Sequence, residues 1–297
     1  MNDIAFSSNV FGRFDRVTAL RHIRGLGFRA VDLWSCPVLA SHAAPGVDDP
    51  TRVRADLEEA GIEAVCMSIF YALHEEKIER FRFARSLGIP FVSFTGAPTA
   101  DYHEKMSGMN VVGRTLTEPG ADWATFCRVL GDLLDRAQDQ GVGIALQAPH
   151  VYTLVETADD LRRLRQSIDH PALYFALSPT HATARGSTLS ELIDICGDRL
   201  AVLHLWNMKR DYLAERDDRR WGTPAEQLAF KGYFDFEPLV RSLQGRALPH
   251  LCVKCHGTEQ WDDAELIIRT ARASLAPLKR GEPEPVTQVK RGSSHAQ

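Results

Sequence analysis

Leu26-Gly27-Phe28-Arg29-Ala30-Val31-Asp32-Leu33 is the stretch on which the fold turns. An amphipathic helix closes on a glycine, and a short apolar run starts at once. Glycine enters the left-handed conformation without steric cost, so it suits the junction that ends a helix before a strand. The same unit returns at Ala60-Gly61-Ile62, Leu87-Gly88-Ile89 and Gln140-Gly141-Val142, so the chain is built from repeated αβ units. The helical spacing supports this. Phe126, Val129, Leu130, Leu133, Leu134 and Ala137 share one face of 122–139, and Phe236, Leu239, Val240 and Leu243 share another before Gly245. Asp49 before Pro50 predicts an N-cap with proline at the first helical position, and Thr157 with Asp160 predicts a capping box.

Between these helices lie eight expected strands: 3–8, 29–34, 62–68, 90–95, 142–147, 172–178, 200–206 and 249–255. Runs such as Phe91-Val92-Ser93-Phe94 and Leu200-Ala201-Val202-Leu203 are apolar on both faces, as parallel strands covered by helices require. A doubly wound open sheet uses the same units, but eight strands favour closure into a single (β/α)8 TIM barrel. The 297 residues suit one such barrel over 1–276. The segment 277–297 alternates proline and charge and predicts a flexible C-terminal tail. Segments 35–48 and 97–121, rich in Pro, Gly and Ser, are expected as long loops over the active-site face.

Composition narrows the function. Net charge is −4 with both signs interspersed, which gives no electrostatic footprint for nucleic acid. No apolar run approaches the ~20 residues of a membrane span, and the start lacks the features of a signal peptide. The expectation is a cytoplasmic protein with a small-molecule substrate, no nucleic-acid or membrane partner, and an oligomeric state left open between monomer and homo-oligomer. The six cysteines read as reduced core residues.

In a β/α barrel the chemistry sits at the C-terminal strand ends. Strand 2 ends in Asp32-Leu33-Trp34, and strand 5 ends in Gln147 with His150 beyond it. Strand 6 ends in Ser178-Pro179-Thr180-His181, strand 7 in His204-Leu205-Trp206-Asn207, and strand 8 in Lys254-Cys255-His256. A single His or Trp at such a place is usually structural. Five polar strand ends converging on one mouth favour a site.

These segments, with Ile4-Ala5-Phe6-Ser7-Ser8, Gly141-Val142-Gly143-Ile144-Ala145-Leu146-Gln147 and Val253-Lys254-Cys255-His256-Gly257, resemble the xylose isomerase-like TIM-barrel superfamily in order and spacing. That superfamily includes sugar isomerases, epimerases, inosose dehydratases and endonuclease IV-type repair enzymes. The resemblance spans roughly residues 3–275 and implies a divalent metal held by a Glu on strand 5, an Asp on strand 6, a His or Gln on strand 7 and a Glu on strand 8. Here those places hold Gln147, Ser178, His204 and Lys254. Divalent ions need anionic oxygen ligands to offset dehydration, and an amide, a hydroxyl and an ammonium replace three carboxylates. No metal or other cofactor is therefore expected. A displaced metal site would be sought in His181, His204 and His256.

The replacement looks coordinated, because one positive charge has entered where a +2 ion would leave. Lys254 is expected to stand in for the metal, with no carboxylate beside it and its pKa drawn toward neutrality by desolvation. Catalytic roles are expected for Lys254, His204 and His181. Substrate contacts are expected from Gln147, His150, Ser178, Trp34, Trp206, Asn207, His256 and Arg210. The function these imply is a metal-independent isomerase, epimerase or lyase that abstracts a proton next to a carbonyl of a small sugar-like, polyhydroxylated or carbonyl-containing molecule. The alternative is a non-catalytic ligand-binding barrel derived from a sugar isomerase.

Two motifs are set aside. Cys252-Val253-Lys254-Cys255-His256 matches the C-x-x-C-H pattern of c-type haem attachment, but that needs an accessible loop in an exported protein, whereas this stretch is expected to end a buried strand and no export signal is read before it. Strand residues three apart point to opposite faces, which disfavours a zinc site on Cys252 and Cys255. The charged run from Lys209 to Arg220 reads as a solvated loop or helix, from which only Lys209 or Arg210 would reach an anionic substrate group.

Overall fold

The computed structural model describes residues 4–36, 40–70, 72–102, 115–207 and 248–255, together with 227, 234–236, 239, 243 and 269. Its eight strands are β1 (Ala5–Ser7), β2 (Ala30–Trp34), β3 (Glu63–Ser68), β4 (Phe91–Thr95), β5 (Gly143–Gln147), β6 (Leu173–Leu177), β7 (Leu200–Leu205) and β8 (His250–Val253). Each pairs in parallel with its sequence neighbour, and β1 closes on β8 with Ala5 opposite Cys252. The fold is a single (β/α)8 barrel. The helices among the described residues are α1 (Arg16–Gly25), α2 (Pro50–Ala60), α3 (His74–Leu87), α4 (Trp123–Asp139), α5 (Ala158–Ser167), α6 (Pro179–Ala182) and α7 (Leu189–Cys196).

The local signals act as the sequence predicts. Gly27, Gly61, Gly88 and Gly141 all have positive φ, between 62° and 95°, at the four helix-to-strand junctions. Asp49 accepts a hydrogen bond from the Thr51 N–H at the start of α2, and Thr157 and Asp160 form the reciprocal cap of α5. Phe126, Leu130, Leu133, Leu134 and Ala137 of α4 are buried, while Val129 is only partly so. Each large side chain sealed in this way contributes about 1.5–3 kcal/mol. Of the expected helix before Gly245, Phe236 and Leu243 are buried in the outer core, while Val240 lies outside the described residues. The 277–297 segment is also outside them.

Two cores result. A large one fills the shell between strands and helices, and a smaller one fills the barrel with Ala5, Ala30, Val65, Cys66, Phe91, Ala145, Ala176 and Cys252. The inner floor is aromatic. Phe91 meets Tyr174 edge-on at 4.9 Å, with His250 at 6.3 Å from Phe91. Gly143 makes room for them, since a Cβ there would lie 2.9 Å from both Phe91 and Tyr174. Small side chains in the middle layer leave space for the polar groups above. The pairing of β2 with β3 shifts register between Val31 and Asp32, which sets Asp32 opposite Cys66. Such shifts re-aim side chains near active sites.

Candidate active site

The inward parity of β2 brings Asp32 and Trp34 to the same side, and both are buried. Trp34 is fixed from several directions. Its backbone N–H donates to Ser8 Oγ at 2.9 Å, its carbonyl accepts from the His42 N–H at 2.8 Å, and its indole Nε1 donates to Asp32 Oδ2 at 3.0 Å. The His42 ring in turn reaches Ser8 Oγ at 3.0 Å and the Phe14 carbonyl at 3.1 Å. Arg16 holds the loop carrying His42, bonding to the His42 carbonyl, Asp48 and Asp56.

Lys254 follows β8 and is 1% exposed. Its ammonium lies 5.1 Å from the Trp34 ring centre, 5.2 Å from Phe70 and 6.0 Å from Trp206. The three rings wrap it, and aromatic faces attract a cation most strongly when water is excluded. Burial lowers its pKa to about 8, and the negative charge of Asp32 resists that fall. The expectation that Lys254 has no carboxylate to act on it is therefore corrected: the charge of Asp32 reaches it, although no ion pair within 4 Å joins the two. Its carboxylate accepts from Ser7 Oγ at 3.1 Å, from Ser68 Oγ at 2.8 and 3.0 Å, and from Trp34. Burial raises the pKa of Asp32, while Lys254 and these donors oppose the rise.

Three histidines surround this pair. His204 on β7 has Nδ1 3.3 Å from Ser178 Oγ and Nε2 4.0 Å from Asp32 Oδ2. His181 in α6 stacks on His150 with ring centres 3.9 Å apart, and lies 5.3 Å from the Trp206 ring. His150 Nδ1 faces the Val151 carbonyl at 2.8 Å, so that nitrogen carries the proton. Burial first, and Lys254 with other neighbours second, hold His204 and His181 well below the usual imidazole range. His150 is lowered to about 4, mainly by burial. All three are neutral at pH 7. The buried His181 Nδ1 has no hydrogen-bond partner among the described residues.

The structure thus gathers Lys254, His204, His181, His150, Ser178, Trp34 and Trp206, with Gln147 buried at the end of β5. Asn207 is engaged elsewhere, because its amide donates to the Phe234 carbonyl at 2.8 Å and accepts from the Phe234 N–H at 2.9 Å, tying down that segment. Trp206 Nε1 donates to Gln227. His256 and Arg210 lie outside the described residues. Sequence reasoning assigned no role to Asp32, Phe70, Ser7 or Ser68. A usable signal was the acid two residues before Trp34, since equal parity sends both into the barrel.

Membership of the family is decided by a family model. The xylose isomerase-like TIM barrel model matches residues 20–278. The chain belongs to that family. No curated protein sequence matches it. Solved structures resemble it in fold. A probable 3-DHS dehydratase from Bacillus anthracis shares 13% identity over 91% of this chain and 97% of that one, with a TM-score of 0.66. The 3-keto-D-glucoside 4-epimerase of E. coli shares 15% over 94% and 100%, with a TM-score of 0.66. D-psicose 3-epimerase from Clostridium cellulolyticum, solved with D-tagatose, shares 13% over 92% and 96%, with a TM-score of 0.65.

The donors at the family's metal places do not fit a divalent cation: Gln147, Ser178 and His204 are uncharged, and Lys254 brings a positive charge of its own. Among the described residues, the ligand atoms of Asp32, His204 and Cys252 also lie within 4.8 Å of one another. This trio differs from the displaced histidine site expected from sequence. It fits a cation poorly as well, because burial pushes the Cys252 thiol well up, Asp32 is committed to three side chains, and the positive charge of Lys254 acts on all three members. The described cysteines are all free, and no described helix is long and apolar enough to cross a membrane.

Proposed function

We propose that this barrel is a metal-independent isomerase, epimerase or lyase, acting on a small polyhydroxylated or carbonyl-containing molecule in the cytoplasm without any cofactor. The observation that carries the proposal is the arrangement of one buried ammonium, Lys254, beside imidazoles that burial keeps neutral. With a pKa of about 8, Lys254 is mostly protonated at pH 7. It polarises the substrate carbonyl, and a neutral imidazole accepts the proton from the adjacent carbon. The C–H electron pair passes into the enolate, whose oxygen is held by the ammonium. His181 has a nitrogen available for this proton, whereas both nitrogens of His204 face Ser178 and Asp32. Return of the proton to the same carbon gives an epimer; its delivery to the former carbonyl carbon, as the neighbouring hydroxyl proton passes to the first oxygen, gives an isomer; and loss of a β-hydroxyl, which leaves as water with the proton held by the imidazole, gives a lyase. The epimerases and the probable dehydratase of like fold support this class of chemistry.

The test is deuterium incorporation from solvent into a panel of ketoses, keto-sugars and hydroxylated keto acids, read by NMR. Wild type exchanges one member of the panel, and Lys254→Met does not. Equal exchange by Lys254→Met would remove the lysine from the mechanism.

The enclosure of Lys254 by Trp34, Phe70 and Trp206 favours a second reading, in which the lysine is a cationic plug in a barrel that binds a ligand without turnover. Ligand binding that Lys254→Met weakens, with no exchange in wild type, would select it.

A further inference from the structure

Asp32 is a fully buried acid to which the proposed proton transfer gives no part. Three side chains hold its carboxylate: Ser7 from β1, Trp34 from β2 and Ser68 from β3. Trp34 belongs at once to this cluster and to the aromatic wrap, because its N–H binds Asp32 while its ring faces the Lys254 ammonium. We infer that Asp32 is the positioning residue of the site: held by Ser7, Ser68 and Trp34, its carboxylate is the fixed counter-charge that keeps the Lys254 ammonium among the Trp34, Phe70 and Trp206 rings.

Charge balance requires such a partner. An ammonium removed from water loses solvation that ring faces only partly replace, so it needs an anion nearby or it gives up its proton. The ionisable groups that face Lys254 are Asp32 on β2 and the thiols of Cys36 just after it, Cys66 on β3 and Cys252 on β8. Lys254 in turn acts on His150 after β5, His181 in α6 and His204 on β7. Burial drives the Cys66 and Cys252 thiols well up and the imidazoles down, so these groups are neutral at pH 7. Asp32, with three donors turned on it, is the acid equipped to stay ionised. This inference rests on the proposed role of Lys254 as the cation of the site, but its readout needs no turnover.

The experiment follows the side-chain Cε resonance of Lys254, one of seven lysines, in full-length protein labelled with ¹³C-lysine. In wild type the midpoint lies near 8. In Asp32→Asn it falls by about one pH unit or more. In Val65→Ala, which loosens the same inner layer without changing charge, it stays at the wild-type value. An unchanged midpoint in Asp32→Asn, or an equal fall in Val65→Ala, would overturn the inference. A second measurement needs no variant at position 32. The Trp34 indole N–H, one of five in the chain and assigned with Trp34→Phe, shifts at the Lys254 midpoint in wild type. A Trp34 resonance indifferent to that midpoint would also overturn it. If these shifts occur and no substrate exchanges, the proposed reaction fails and the role of Asp32 stands.

Discussion

Asp32 and Trp34, two residues apart on β2, are joined by a 3.0 Å hydrogen bond from indole to carboxylate. The bond fixes a ring that lies 5.1 Å from the Lys254 ammonium, so one strand supplies both an anion and an aromatic wall to a cation just past the end of β8. Breaking one partner of such a buried pair costs more than removing both, because the survivor is left uncompensated.

Stability should therefore show coupling between Asp32 and Lys254. Asp32→Asn and Lys254→Met each lower the unfolding free energy, and the double variant loses less than their sum by about 1–3 kcal/mol. Urea denaturation of the four proteins measures it. Additive losses would show that the two side chains do not interact.

Acid should destabilise the barrel before its carboxylates titrate. His150 falls from 6.5 to about 4 on folding, and His181 and His204 fall well below 6.5. Their folded pKa values lie below the unfolded ones, so this stability is fully present above pH 6.5 and is lost as pH falls from there toward 4. For His150 the loss is about 3 kcal/mol. Asp32, raised on folding, has the opposite sign and offsets part of the loss at the acid end. Urea midpoints measured from pH 7 to pH 4 should fall, and the fall should be smaller in His150→Phe.

The barrel floor gives a prediction independent of chemistry. A Cβ at position 143 would lie 2.9 Å from Phe91 and Tyr174, so Gly143→Ala should lower stability by about 1–3 kcal/mol. Pairing it with Phe91→Leu should recover part of the loss. A thermal scan of the single and double variants distinguishes strain from a general loss of packing.

At the site itself, Lys254→Arg should retain part of the exchange rate that Lys254→Met abolishes, because charge rather than amine nucleophilicity is required. His181→Ala should lower proton exchange more than substrate affinity. Borohydride added with substrate should trap nothing. A reduced adduct on Lys254, seen by mass spectrometry, would replace electrostatic stabilisation with a Schiff base.

The barrel was legible because its signals are local. Gly27, Gly61, Gly88 and Gly141 each end a helix by backbone conformation alone, and the paired apolar faces of β4 and β7 follow from burial on both sides. The polar strand ends were legible for the same reason. Asp32 was legible as a polar strand end but not in its role, because that role is not local: its partners lie on three strands, and the register shift beside it is invisible in one sequence. The pairing of the Asn207 amide with the Phe234 backbone is likewise long-range, and no spacing rule reveals it.

On the proposed mechanism, Lys254 performs what a divalent metal performs elsewhere in this family. The most direct measurement is the rate of solvent-deuterium exchange into substrate before and after exhaustive chelation, with metal content determined on the same samples. The expected result is an unchanged rate and less than about a tenth of an equivalent of any divalent metal, because an ammonium occupies a ligand place. A rate lost on chelation and restored by one equivalent of added metal would contradict it.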